Sequence, residues 1–303
     1  MKLIKISAII LLILGIELTN GNQIVGKSLR LDHPQAEKLD RHQADQLLDQ
    51  GIIEFQQGNF QEAWDFWQQS KEIYHQNQDR LGEAKALGNL GGIYLILGQY
   101  QEAIKQQETV LEIAKDLEDL ELISNSLGSI ANTYLSMKQP EKARELYLQV
   151  LSIKMQLIDV SGIGDAIIGL GFTAELLGEY NRAIIHHQSG LEIKQEIGDR
   201  YGEAEAYLGL GKASLKLGQY QEAKNYYQEA LAIKTTIKDQ RGMTNALIGL
   251  AKVSQQLNNQ DEALILLQQA ADISDLIKEK LQVLPIFVES DYQLMIDQTH
   301  SEL

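Results

Sequence analysis

An alanine returns every 40 residues through most of this 303-residue chain, at Ala63, Ala103, Ala143, Ala183, Ala223 and Ala263. A fixed period of that size marks a stacked array, in which each unit buries a face on the next, rather than one globular core. Five positions before each alanine stand Gly58, Gly98, Lys138, Gly178, Gly218 and Asn258, mostly residues that tolerate a left-handed backbone, so a helix ends there in every unit. Twelve positions before each alanine stand Gly51, Gly91, Ala131, Gly171, Gly211 and Ala251, none larger than a methyl group. Small residues on both sides of a turn let two helices approach closely, and each unit is therefore predicted to be a helical hairpin.

The spacing within one unit agrees. Leu87, Leu90, Gly91 and Tyr94 fall on one face of a first helix, and Tyr100, Ala103, Val110 and Leu111 mark the buried stripe of a second. Asp79, Asp119, Asp159, Asp199 and Asp239 recur at the unit boundary, where a carboxylate caps the next helix and meets its positive end. Pro140, the one proline inside the array, falls in the first turn of a second helix, where it costs little.

These units resemble tetratricopeptide repeats. The pattern of a large residue, Leu-Gly, an aromatic and then Ala appears as Leu87, Leu90-Gly91, Tyr94 and Ala103, and again as Tyr207, Leu210-Gly211 and Ala223. The resemblance spans about 236 of the 303 residues. The 40-residue length exceeds the usual 34. With Asn89-Leu90-Gly91 it resembles the longer-repeat subgroup that includes kinesin light chain and the Leu-Gly-Asn adaptor. That family's last-turn proline is missing, with Lys115 in its place and Lys154 nearby in the next unit, which predicts longer second helices. The resemblance implies an all-α, right-handed superhelical solenoid of about six antiparallel hairpins with a C-terminal cap. Its units are 40–78, 79–118, 119–158, 159–198, 199–238 and 239–275, and residues 276–303 form the cap. The position Trp67, Gln107, Tyr147, His187, Tyr227, Leu267 varies, and Gln107 and His187 are expected to weaken the middle of the array. Gln50 and Glu54 make the first unit more polar, as a terminal unit should be.

The first 21 residues read as a cleaved secretory signal: Lys2 and Lys5 precede the apolar run from Ile6 to Ile16, and Thr19-Asn20-Gly21 offers a cleavage site. Glu17 shortens the run below what a bilayer span requires. The mature protein is then secreted or periplasmic; uncleaved, the segment would be its one membrane attachment. Residues 22–39, with His33-Pro34, read as a polar tether. A net charge of −15 repels nucleic acid and anionic lipid. With no cysteine, stability rests on packing without disulfides or thiolate metal sites.

The resemblance implies that the first helices line a concave groove for a protein or peptide partner. The residues expected to face it are Ile52, Phe55, Gly88, Gly92, Asn132, Ile168, Phe172, Leu208, Lys212, Lys216 and Lys252. Its first half is apolar and glycine-lined. Its second presents three lysines, at which an acidic or C-terminal carboxylate group could dock with an apolar side chain against Phe172. The alternative is that these lysines are solvated and pair with neighbours such as Glu205. The family's chaperone-tail clamp is not supported, because Leu48, Gly88, Gly128 and Ile168 stand where its lysine would be.

No catalytic group, cofactor site or metal site emerges. His186 and His187 are adjacent and diverge on a helix, so they cannot chelate alone. Gly162-Ile163-Gly164 and Gly169-Leu170-Gly171 lack the Lys-Ser or Lys-Thr of a phosphate loop. The expected function is a non-catalytic adaptor that binds a peptide or helix in its groove; the alternative is a scaffold or self-associating factor of an envelope complex.

Overall fold

The computed structural model describes residues 35–284, with side chains from residue 41. Residues 1–34, including the expected signal and most of the tether, lie outside the described residues, as do 285–303 of the expected cap. Among the described residues twelve helices follow one another: α1 Gln35–Gln56, α2 Phe60–Gln76, α3 Arg80–Ile96, α4 Tyr100–Asp116, α5 Leu120–Ser136 and α6 Pro140–Leu157. The second half continues with α7 Val160–Leu176, α8 Tyr180–Ile197, α9 Arg200–Lys216, α10 Tyr220–Thr236, α11 Gln240–Gln256 and α12 Gln260–Gln282.

The chain turns every 20 residues by one device. A single left-handed residue ends each helix: Gly58, Gln78, Gly98, Glu118, Lys138, Ile158, Gly178, Gly198, Gly218, Lys238 and Asn258 all have positive φ. The next N–H reaches back five residues to a helix carbonyl, as Gln99 does to Tyr94 and Asp159 to Lys154, both at 2.9 Å. This is the Schellman closure, which satisfies carbonyls the helix end would orphan. At the boundaries between hairpins an aspartate then caps the next helix. Asp79, Asp119, Asp159, Asp199 and Asp239 each accept the N–H three residues on, at 2.9–3.0 Å.

Inside each hairpin the small residue of the first helix lies under the bulky residue of the second. A Cβ at Gly51 would overlap the Trp67 ring, one at Gly171 the His187 ring, and one at Gly211 would come within 2.9 Å of Tyr227. Two polar members of this series are buried on partners of their own. Gln107 donates to the Gly88 carbonyl at 2.9 Å, and His187 is fully buried against Glu175 at 2.7 Å. The other ring nitrogen of His187, Nδ1, is buried with no hydrogen-bond partner, which costs desolvation.

A ladder of buried lysines ties successive hairpins together. Lys154, Lys194 and Lys234 lie at a 40-residue spacing near the ends of α6, α8 and α10, with 6%, 0% and 0% of their surface exposed. Each ammonium bonds the first helix of its own unit and the capping aspartate of the next. Lys194 reaches Asp165 at 2.6 Å and Asp199 at 2.7 Å. Lys234 reaches Glu205 at 2.5 Å and Asp239 at 2.7 Å, and Lys154 reaches Asn125 and Asp159, both at 2.9 Å. Their stems run over Gly162, Gly202 and Gly242, where any Cβ would collide. In the first unit Tyr74 fills the same register, lying over Gly82 and donating to Asp45 at 2.6 Å. Only where Ala114 empties the position does a bulky Leu122 replace the glycine, keeping the volume filled.

One expectation needs correction. The tether does not extend to residue 39, because α1 begins at Gln35, directly after Pro34; Gln-Ala-Glu-Lys-Leu are good helix formers and proline suits a helix entry. The second helices α2, α4, α6, α8 and α10 have 17 or 18 residues, because the turns cut the chain into equal halves, and α12 has 23. The described part of the expected cap continues α12 unbroken to Gln282. There Ile277, Leu281 and Leu284 join the apolar cluster of the first hairpin, with Phe60, Trp64 and Leu90. Lys280 Nζ lies 3.4 Å from Asn59 Oδ1, so the two ends of the array meet.

Truncating Lys194 to Ala should destabilise the protein by about 3 kcal/mol in urea unfolding, because stem packing and the ion pairs are lost together. Lys194→Met keeps the stem and should cost less than half as much; equal costs would assign the whole effect to charge. Ile158 is β-branched, left-handed at φ 56° and 70% exposed. Ile158→Gly should therefore stabilise by about 1 kcal/mol in the same assay, and a loss of stability would contradict the turn account.

Candidate functional site

The curvature of the array follows from which helices touch. First helices of successive hairpins pack on one another, α1 on α3, α3 on α5, α5 on α7, α7 on α9 and α9 on α11, whereas second helices meet mainly the first helices beside them. The first helices therefore occupy the inner curve. Among the clefts along it, one of about 220 Å³ lies between α1 and α3 at Asp45, Asp49 and Lys85, and two larger ones lie further on. One, about 450 Å³, is lined by Asn125, Asn132, Asp165, Ile168, Phe172 and Glu205 among others. The other, about 530 Å³, includes Phe172, Glu205, Lys212, Lys216, Ile248 and Lys252. Phe172 and Glu205 belong to both, so the clefts are contiguous.

The helical hairpins bring seven of the expected groove residues together. Asn132 and Ile168 line the first of these two clefts, Leu208, Lys212, Lys216 and Lys252 the second, and Phe172 sits where they join. Ile52, Phe55, Gly88 and Gly92 line neither. Phe55 turns instead into the core, 5.7 Å edge-on from Phe60 and 5.4 Å from Trp67, because the apolar cluster of the first hairpin draws it in. Ile52 is exposed on α1, and open space surrounds Gly92. The glycines that superficially suggest a phosphate loop lie inside α7, pressed by Lys154, Tyr147 and His187.

The lysines are not equivalent. Glu205, considered from sequence as their partner, is held by Lys234. Lys212 lies 3.4 Å from Glu175, a carboxylate with 1% of its side chain exposed, which also holds His187 at 2.7 Å. Lys212 thus balances a buried charge, and only its side toward the cleft faces a ligand. Phe172 covers this network, edge-on to His187 at 4.8 Å. In the first cleft, Asn132 accepts from the Tyr147 hydroxyl at 2.5 Å, which directs its amide donors outward. Tyr147 itself has a raised pKa, from burial and then from Asp165, and stays a hydrogen-bond donor.

Sequence reading missed the lysine ladder and Glu175. For the ladder a signal existed: Lys, then Asp five residues on and Gly eight residues on, recurs at 154, 194 and 234. Glu175 has no such signal, since its repeat equivalents are Phe55, Leu95, Leu135, Leu215 and Gln255.

His186, on α8 outside both clefts, gives the stability of the fold a pH dependence. Burial, and then His187 and Arg182, hold its imidazole down to about 4, against the pull of Glu179 in the other direction. A folded pKa below the unfolded value of about 6.5 means that the unfolded chain binds more protons between those limits. Stability should therefore fall as pH drops from 6.5 toward 4. Calorimetric Tm values should show this decline, and His186→Gln should flatten it; an unchanged slope in the variant would contradict the assignment.

Among proteins of curated function, none matches this sequence. Several solved structures share the fold at low identity. A Rap protein complexed with competence and sporulation factor superposes with a TM-score of 0.63 at 18% identity, covering 78% of this chain and 76% of that one. The apo form of RapI gives 0.61 at 18%, covering 78% and 85%. BtubC from P. vanneervenii gives 0.53 at 17%, covering 81% and 93%. At these identities the likeness establishes the fold alone. Sequence models of the tetratricopeptide repeat match residues 43–116, 82–156 and 163–236, and a further one matches 208–275. With the helical hairpins in view, this chain belongs to the tetratricopeptide repeat family.

Proposed function

We propose that the protein is a non-catalytic adaptor whose inner curve captures an extended segment of another protein. Membership of the repeat family supports protein–protein interaction in general. The observation that carries the finer reading is the continuity of the two clefts through Phe172 and Glu205. They offer an extended segment three chemically different stations. Asn132 supplies amide donors for a peptide backbone, Phe172 an apolar contact, and Lys216 and Lys252, beside Lys212, a cationic wall for an acidic side chain or terminal carboxylate. Because α5, α7, α9 and α11 fix these stations in advance, the partner bears most of the ordering cost on binding. The fold relative in complex with competence and sporulation factor supports the idea that an array of this shape accommodates such a ligand. Export with cleavage of the N-terminal segment belongs to the same proposal, supported by Lys2, Lys5 and the apolar run that follows them. No helix among the described residues is long and apolar enough to cross a membrane.

The structure changes which substitutions test this reading. Lys212 holds Glu175, so replacing it disturbs the core as well as the cleft. The test therefore uses Lys216→Glu and, with circular dichroism to check the fold because Phe172 also packs on His187, Phe172→Ala. Each should reduce crosslinking of the native partner in an envelope fraction at least about tenfold, the scale expected when a central apolar or charged contact is removed. Undiminished crosslinking in both variants would place binding elsewhere. Concentration-dependent self-association by light scattering would favour the scaffold reading.

A further inference from the structure

The meeting of the two ends creates a second surface, separate from the inner curve. The last turns of α12 form an amphipathic stripe: Ile277, Leu281 and Leu284 are buried, Ile273 is partly so, and Leu276, Glu279, Gln282 and Val283 are exposed. That stripe has the i, i+4, i+7 spacing of a helix docked in an apolar groove. Its seat is the first hairpin, where Phe60 and Trp64 of α2 belong to the same cluster, backed by Leu90 and Ile93 of α3. Lys280 lies over the turn at Asn59, and Gln240 at the start of α11 approaches Gly58. The contact joins residues 221 positions apart, so it closes the solenoid into a ring.

This joint differs from those between successive hairpins. Every joint from α3 to α12 follows a tight turn and packs one helix along the length of the next, and three carry a buried lysine that reaches into the next unit. The end-to-end joint is built around one short apolar stripe, with Gln240 beside Gly58 and a hydrogen bond at the long limit of 3.4 Å. No tight turn holds its two sides together, and the chain that links them is the whole array, whose closure costs entropy. It is the contact most easily exchanged for another helix.

We infer that the first hairpin is a docking surface for an amphipathic helix, occupied in the resting protein by the tail of α12. A partner helix with apolar side chains at i, i+4 and i+7 and a lysine or arginine at i+3 displaces the tail and opens the ring. This holds whether or not the inner curve binds a peptide, because the two surfaces share no residue.

The two tryptophans of the chain, Trp64 and Trp67, both lie in this hairpin, so intrinsic fluorescence reports on the seat. In the full chain, Leu281→Asp should red-shift tryptophan emission and increase the radius of gyration in X-ray scattering while helical circular dichroism is retained. A fluorescein-labelled peptide of residues 268–284 should then bind this variant, reversing the shift in emission while the radius of gyration stays large. It should bind the wild type about tenfold more weakly or worse, because the tethered tail competes at an effective concentration on the order of millimolar. A scrambled peptide should bind neither. Equal affinity for both proteins, no binding to the variant, or unaltered emission and radius in Leu281→Asp would overturn the inference. If Leu281→Asp loses helicity, Leu281→Ala with Lys280→Glu provides the same readouts, and the same results decide.

Discussion

The left-handed residue that ends a helix every 20 positions is the constraint from which the rest of this structure follows. It fixes helix length at about 17 residues, so every hairpin presents its small residue at the same height as the bulky residue opposite. It also places a polar residue, aspartate at every boundary between hairpins, immediately before each new helix. Without that equal division, Gly171 would not lie under His187, nor Gly202 under the stem of Lys194. The turn tolerates Gln78, Glu118, Lys138, Ile158, Lys238 and Asn258 as well as glycine. The strain at those positions is offset by packing on both sides rather than removed by composition.

On that frame, polar chemistry is used for joining rather than for catalysis. A buried lysine bonded to two carboxylates contributes little net stability compared with a well-packed apolar side chain. What it adds is direction: its ammonium must find the first helix behind it and the capping aspartate ahead, which fixes how one hairpin sits on the next. Burial acts to raise the pKa of Asp199, but the Gly202 N–H and Lys194 outweigh it and leave the group below the usual value. The same balance holds at Asp159 with Gly162 and Lys154. At Asp165, the other partner of Lys194, burial outweighs the lysine and raises the pKa, so the ladder's carboxylates do not all hold their charge equally.

Most of the fold was legible in the sequence because its determinants repeat. Ala63 and its equivalents, the turn residues and the aspartate caps carry the same meaning six times over, and local physics suffices to read them. The second set of turns was harder, since Gly198 is its one glycine and Gln78, Glu118, Ile158 and Lys238 give no local sign. The lysine ladder was overlooked because a lysine in a helix ordinarily faces solvent. Lys212 and Glu175 pair across two helices, and no spacing along the chain encodes that. Phe55 shares the apolar character of a groove residue but is claimed by Phe60 and Trp67. The ring closure was least legible: it depends on the curvature accumulated over six hairpins, to which every joint contributes and which no single residue specifies.

The groove and the ring assign different work to the two ends of one molecule, and the inner curve is where partner capture is claimed. A photo-crosslinking residue placed at Phe172, between the two clefts, and separately at Ile185, exposed on α8 outside both, tests this claim directly. The account predicts a discrete crosslinked partner from position 172 and none from 185. The reverse pattern would contradict it.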